Sequence, residues 1–301
     1  MTVGLQQHGC GLIVYLKLAN RVAAHCPNTT FDVAIRSCKL SAAKEDALPG
    51  QLDGQTIIVT GGGNGFGEHM ARATAAEGAN TVIADCDAGG GERVVAGIRS
   101  NGDSAVAIET DVGDEDQVGE LIAKVMNRFG RIDVLVNNAG VAGDVSPFPE
   151  QSLDAWNQIN RVNVTGCFLC NRAVLPHMIA RKSGHIVHIS SGLCRQDIRK
   201  IRSLMYLSTK FAIEGLSWGL SVHTEQHGIR VNTIRPNLSV TGLFNESDRN
   251  YLSGLKVWKP TLTVGPLLHL LCESSGTGEI IDATEWHTAS GSADELTYIY
   301  E

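Results

Sequence analysis

The chain has 301 residues, 43% of them hydrophobic and only 5% aromatic, with 33 glycines and a formal net charge of -7. That balance excludes a coiled coil and a disordered chain; acidity, with no Lys/Arg cluster interleaved with aromatics, argues against a nucleic-acid binder. Eight cysteines without repeated metal-ligand spacing predict no metal site and suit a reducing, cytoplasmic setting.

Residues 1–40 differ from the rest: Lys17, Arg21, Arg36 and Lys39 stand against one acid, Asp32. The apolar run Gly11-Leu-Ile-Val-Tyr-Leu is too short to span a bilayer and has no basic stretch before it, so neither a membrane anchor nor a secretory leader is expected. The Asn28-Thr-Thr sequon is discounted for the same reason. Residues 1–50 are read as an N-terminal extension of unknown role, with organelle targeting left open. Ala47-Leu-Pro-Gly50 reads as the linker to a single domain over 51–301.

From Asp53 a regular alternation begins. The β-branched run Thr56-Ile-Ile-Val-Thr60 predicts a strand, followed by a glycine cluster and a helix to Glu77-Gly78. Thr81–Ala84 is a second strand, with a helix ending near Ser100-Asn-Gly102. Ala105–Ile108, a helix from Asp114 to Phe129, and the strand Val134–Val136 follow. One long helix from about Ser152 to Arg181 buries Cys167 and Cys170 in its apolar face, then comes the strand His185–Ile189. A helix opening at Tyr206 leads to the strand Ile229–Ile234, and Thr277–Asp282 reads as a last strand. Short buried strands alternating with helices mean an α/β fold: a doubly wound parallel sheet of Rossmann type.

Three stretches carry chemistry. Thr60-Gly-Gly-Gly-Asn-Gly-Phe-Gly67 lies between a strand and a helix, where glycines let backbone N–H groups approach a pyrophosphate at the positive helix end. Asp85 ends the second strand. An acid there accepts from a ribose 2'-hydroxyl and repels a 2'-phosphate, or it caps the next turn together with Asp87. With Asn64 rather than Arg or Lys in the glycine loop, both features favour NAD over NADP. Tyr206 and Lys210, four apart, share a helix face. An ammonium about 6 Å from a phenol, at an effective dielectric of 20, favours phenolate by roughly 3 kcal/mol or about two pKa units, leaving the phenol near pH 8 before desolvation opposes the shift.

These elements together resemble the short-chain dehydrogenase/reductase family over roughly Asp53 to Gly291. The shared features are the Thr-Gly-x-x-x-Gly-x-Gly spacing, Asp111-Val112, Asn137-Asn-Ala-Gly140, Asn163 within Val162-Asn-Val-Thr-Gly166, Ser191 after Ile189-Ser190, and Tyr206-x-x-x-Lys210. The resemblance implies that Gly61, Asn64, Gly65, Phe66, Gly67 and Asp85 hold the dinucleotide. It extends that role to Asp111, Val112, Asn138, Ala139, Gly140, Pro236 and Thr241. Tyr206 is then the general acid/base, Lys210 stabilises phenolate and holds the nicotinamide ribose, Ser191 orients the substrate oxygen, and Asn163 holds a relay water. A homodimer or homotetramer is also implied.

Three departures stand out. Ser191 and Tyr206 are fifteen residues apart where the family has about thirteen, and the stretch between them is basic. Arg195, Arg199, Lys200 and Arg202 are either a solvated face or a set of charges that attracts an anionic substrate. Asn237 replaces a customary glycine, its turn surviving if asparagine tolerates a left-handed backbone. The glycine-rich turn expected after the last strand is replaced by Ala283-Thr-Glu-Trp-His. The expected function is NAD-dependent interconversion of a secondary alcohol and a ketone, on a small molecule. The alternative is a catalytically idle dinucleotide-binding redox sensor or interaction protein.

Overall fold

The computed structural model describes residues 50–195, 203–242 and 253–300. The N-terminal extension and the basic residues Arg199, Lys200 and Arg202 lie outside the described residues.

Seven parallel strands form the central sheet. They are β1 (Thr56–Thr60), β2 (Asn80–Asp85), β3 (Ala105–Glu109), β4 (Val134–Asn137), β5 (Gly184–Ile189), β6 (Ile229–Arg235) and β8 (Ile280–Asp282). Their order is β3-β2-β1-β4-β5-β6-β8, so the chain starts at the centre, winds outward one way, then returns and winds the other way. Between β1 and β4 the direction of winding reverses, and crossovers leave that point open above the carboxyl ends of the strands. Helices α1 (Gly65–Ala76), α2 (Ala88–Ser100), α3 (Glu115–Phe129), α4 (Leu153–Asn160), α5 (Cys167–Arg181) and α6 (Leu204–Thr224) supply the crossovers.

Every residue of β1 is buried, because both sheet faces are covered. Alternate side chains feed two cores. Ile57, Val59 and Val187 join one with Met70 and Val94. Ile58 and Ile186 join the other with Leu121, Val174 and Met178. Cys170 belongs to this second core and Cys167 is buried too, where burial pushes its thiol up to about 12. They pack as the sequence reading expects.

Helix ends follow local chemistry. Asp114 caps α3 by accepting from the N–H groups of Asp116 and Gln117, and Gly130, with φ of 70°, closes it. The helix carrying Tyr206 begins at Leu204 rather than at the tyrosine, since Ser203 Oγ accepts the Tyr206 N–H at 3.3 Å. The long helix expected over residues 152–181 is interrupted: Arg161–Gly166 winds as a π-helical turn between α4 and α5. An inserted π turn re-aims side chains, and here it turns Asn163 inward.

Beyond β6 the chain forms a small annex. β7 (Lys256–Trp258) pairs antiparallel with β9 (Thr297–Ile299), and Trp258 N–H bonds to Leu238 O at 2.8 Å. Helix α7 (Val264–Leu268) follows β7. Where a glycine-rich turn was expected after the last strand, helix α8 (Ala283–Ser290) starts at once, capped by Asp282, which accepts from Thr284 and Glu285 N–H. The carboxylate at the strand end supplies the start signal that replaces the turn. Among the described residues, no helix is long and apolar enough to cross a membrane.

Two histidines of β5 are buried on opposite sheet faces. His185 Nε2 meets Asn232, His188 Nε2 meets Asn171, and neither Nδ1 has a partner. Burial therefore holds both neutral, pushing His188 down to about 3 and His185 well below its usual range. The unfolded chain binds protons at these rings from about pH 6.5 downward while the folded chain does not, so acid favours unfolding through that window. At pH 4.5 His188 alone costs roughly 2 to 3 kcal/mol relative to pH 7 and above. Urea unfolding at pH 6.5, 5.5 and 4.5 should show a steep loss of stability. His188→Gln, which keeps a polar end toward Asn171, should reduce that slope by about 1.4 kcal/mol per pH unit; an unchanged slope would assign the acid sensitivity elsewhere.

Candidate active site

A cavity of about 430 Å³ opens at the carboxyl ends of the strands, where the winding reverses. Fourteen of the seventeen residues singled out in the sequence line it. Gly61, Asn64, Gly65 and Phe66 come from the β1–α1 turn, and Asp85 from the end of β2. Asp111 and Val112 follow β3, and Asn138, Ala139 and Gly140 follow β4. Tyr206 and Lys210 project from α6, and Pro236 and Thr241 follow β6. Gly67, Asn163 and Ser191 stand just behind this wall.

The β1–α1 turn is built for close approach. Gly61 has φ of 63°, which only glycine adopts without strain. A Cβ on Gly67 would lie 2.0 Å from the Gly61 carbonyl oxygen and 2.6 Å from Asn138 Nδ2. Asn138 ties the turn to β4, donating through Nδ2 to Thr60 O at 2.9 Å and Gly61 O at 3.0 Å. At the helix start Asn64 makes no side-chain capping bond, so the first-turn N–H groups of α1 are left for an anion. An uncapped helix end with Gly61 and Gly65 facing a cavity fits a pyrophosphate.

The end of the cavity beside β2 is acidic: Asp85, Asp87 and Asp111 line it. Asp85 makes the turn contacts of the capping reading. Its Oδ2 accepts Gly63 N–H at 2.7 Å and its Oδ1 accepts Asp87 N–H at 2.9 Å, so it caps the turn. A carboxylate has about four acceptor positions, which leaves room for a ribose hydroxyl. The cation at this end, Arg161, is paired with Asp111 at 2.8 Å.

At the β5 side, Lys210 is buried and donates to Ile189 O at 2.9 Å, with Nζ 5.3 Å from the centroid of the Tyr206 ring. Burial lowers this ammonium to about 8. Burial also pushes the Tyr206 phenol well up, against a hydrogen bond with Ser191 that favours phenolate. The value near 8 set desolvation aside; desolvation opposes the shift and is the larger effect, so Tyr206 holds its proton in the free protein. Asn163 is committed elsewhere. Its Oδ1 accepts Val141 N–H at 2.8 Å, and its Nδ2 donates to Val141 O and Thr209 Oγ1, each at 3.1 Å. The side chain clamps the loop after Gly140 and does not face the cavity.

The departures have local explanations. Asn237 is not in the left-handed region, since Lys182 is the only non-glycine residue of positive φ among the described residues. Its Nδ2 donates to Thr284 Oγ1 at 3.0 Å, so the loop is held by α8 instead of by a glycine turn. Arg195 pairs with Glu285 of α8 at 2.6 Å and does not line the cavity. Among the described residues, no group of three or more His, Cys, Asp or Glu side chains is placed to hold a metal ion.

Residues 55–252 match the short chain dehydrogenase family. The chain belongs to that family. Among its relatives is a cis-4-hydroxycyclohexanecarboxylate dehydrogenase of Sinomonas cyclohexanicum, 37% identical over 63% of this chain and 75% of that one. A (2S)-[(R)-hydroxy(phenyl)methyl]succinyl-CoA dehydrogenase subunit of Thauera aromatica is 31% identical over 76% of this chain and 95% of its own. The 3-ketoacyl-(acyl-carrier-protein) reductase of Brucella melitensis, solved with NADH, superposes with a TM-score of 0.69 at 28% identity, covering 77% of this chain and 97% of that one. Short-chain dehydrogenases bind a nicotinamide dinucleotide, and the cradle and cavity described above fit one.

Sequence reasoning about this short-chain dehydrogenase missed several wall residues. Ser190, Gln158, Arg161 and Cys86 line the cavity without belonging to a motif. Cys86 and Ser190 were readable as sequence neighbours of Asp85 and Ser191; Gln158 comes from the end of α4 and Arg161 from the π turn that follows it, which has no sequence period. The Gly67 contact makes a direct test of the cradle. Gly67→Ala should weaken NADH binding about tenfold or more in a fluorescence titration, with a lower Tm, because the helix end must retreat from the anion. Unchanged affinity would show that this turn does not carry the pyrophosphate.

Proposed function

We propose that the chain is an NAD-dependent dehydrogenase that interconverts a secondary alcohol and a ketone, with Tyr206 as general acid/base. The observation that carries this reading is the polarity of the cavity. Tyr206, Lys210 and, behind them, Ser191 gather beside β5, while three carboxylates line the end beside β2. Carboxylates facing a ribose favour a 2'-hydroxyl and repel a 2'-phosphate. The relatives support the substrate class: a hydroxycyclohexanecarboxylate is a secondary alcohol, and so is meso-2,3-butanediol, whose dehydrogenase from Serratia marcescens is 35% identical.

Bound in the cavity, the nicotinamide supplies the two-electron acceptor or donor of hydride. The chain's own residues manage the proton. In the reducing direction Tyr206 gives its proton to the carbonyl oxygen, and Ser191 donates a hydrogen bond to the same oxygen as charge develops there. In the oxidising direction Tyr206 must first lose that proton, with the Lys210 ammonium under its ring as the compensating charge. Asn163 acts at one remove, by holding the Val141 loop.

The test is optical. NADH formation should be followed over a panel of neutral and anionic secondary alcohols, with NADP as control. Tyr206→Phe should reduce turnover about a thousandfold while still binding NADH. Because burial raises the phenol, the oxidation rate should climb with pH above neutrality, and the reduction rate should not. Tight NADH binding without turnover on any alcohol would favour the idle sensor instead.

Self-association belongs to the same reading. Leu204, Phe211, Trp218 and Val222 are exposed and form one stripe along α6, with Phe168 and Ile179 exposed along α5. A second copy of the chain covers these stripes in a homodimer, the dimer of a homotetramer included. Sedimentation should give a dimer or larger for the wild type and a smaller species for Trp218→Glu; a monomeric wild type would remove this part of the reading.

A further inference from the structure

Two turns beyond Tyr206 and one beyond Lys210, on the same face of α6, stands Glu214. It lies outside the cavity lining, yet its carboxylate is the meeting point of three elements. Oε1 accepts Ser190 Oγ from the end of β5 at 2.7 Å and Arg235 Nε from the end of β6 at 2.7 Å, and Oε2 accepts Arg235 Nη2 at 2.7 Å. The Glu214 and Arg235 side chains are only 10% and 8% exposed. Ser190 Oγ also reaches Lys210 O at 3.4 Å.

Each partner is next in sequence to a residue of the site. Ser190 precedes Ser191, Arg235 precedes Pro236, and Lys210 is one helical turn away. The backbone relays these positions directly: Ser190 N–H bonds to Ile234 O at 2.9 Å, and Gly192 N–H bonds to Pro236 O at 2.7 Å. A buried ion pair contributes little net stability, because desolvation of both charges offsets their attraction, and apolar replacements of similar volume are often neutral. Stability alone is therefore a poor account of this pair. Its geometry gives a better one: a planar guanidinium gripping a carboxylate at two points fixes both partners in distance and angle.

We propose that Glu214 is a positioning residue, which through Ser190 and Arg235 fixes the ends of β5 and β6 against α6 and so sets Ser191 and Pro236 relative to Tyr206. The proposal rests on the dehydrogenase reading above for the roles of Ser191 and Tyr206. Glu214 touches neither substrate nor cofactor; it acts through the joint it holds.

The test separates positioning from folding. Glu214→Leu combined with Arg235→Met replaces the pair by apolar groups, and Ser190→Ala cuts only the β5 link. The double variant should keep its Tm within about 5 °C of the wild type and bind NADH within about threefold, since the pyrophosphate cradle is untouched. Its kcat should fall about 10- to 100-fold, as expected for misplacement by an ångström or less. Ser190→Ala should lose kcat in the same direction with Tm unchanged, and it serves as the test if the double variant does not fold. A double variant or Ser190→Ala with kcat within about twofold of wild type would overturn the proposal. Crystal structures of wild type and Ser190→Ala give a readout that does not need turnover. The Ser191 Oγ to Tyr206 Oη separation should lengthen in the variant, and an unchanged separation overturns the proposal. A wild type inactive on every alcohol, with that separation lengthened in the variant, would sink the dehydrogenase reading and leave the positioning role standing.

Discussion

Asn138 holds the site together. Its side-chain amide donates to Thr60 O and Gly61 O, and its backbone N–H donates to Thr60 Oγ1 at 3.0 Å. These bonds extend the β1–β4 pairing past the strand ends, at the point where the winding reverses. The Gly61–Gly67 contact, the uncapped start of α1 and the position of Ala139 all depend on this junction. A donor of that reach, with two hydrogens on one nitrogen, is what the junction requires; a serine would satisfy one carbonyl and leave the other orphaned.

Around this junction the protein divides its electrostatics. On the β2 side carboxylates are already engaged by backbone N–H groups and by Arg161, which fixes their orientation. On the β5 side burial dominates, and Tyr206 and Lys210 are both pushed toward their neutral forms: the phenol up, the ammonium down to about 8. The phenol keeps its proton, and an ammonium at about 8 still carries its charge at neutral pH. On the proposed reading, new charge and new hydrogen bonds must enter this dry corner before the phenol gives that proton up.

Much of this was legible in the chain. Buried β-branched runs gave the strands, because a strand covered on both faces can hold little else. The glycine loop and the Tyr206–Lys210 spacing are local patterns, and their geometry is local too. What escaped the sequence has tertiary causes. The π turn at Arg161–Gly166 carries Asn163, whose partner Val141 lies twenty-two residues earlier, a tertiary contact with no local sequence pattern. Asn237 stays out of the left-handed region because Thr284 of α8 holds its side chain. The tyrosine's final proton affinity was not legible because spacing reports a neighbouring charge but not how dry the site is. Glu214 carries no motif at all; its partners come from two other strands.

The annex at the end of the chain has a practical reach. β9 is hydrogen-bonded to β7, Gly254 N–H bonds to Tyr300 O, and Trp258 is bonded in turn to Leu238, three residues before Thr241 at the cavity wall. Only two backbone pairings therefore separate Tyr300 from the loop beside the reacting end. Any purification handle, reporter or surface tether joined after Tyr300 would load that linkage mechanically, and kinetics measured on such a fusion would report the handle as well as the enzyme.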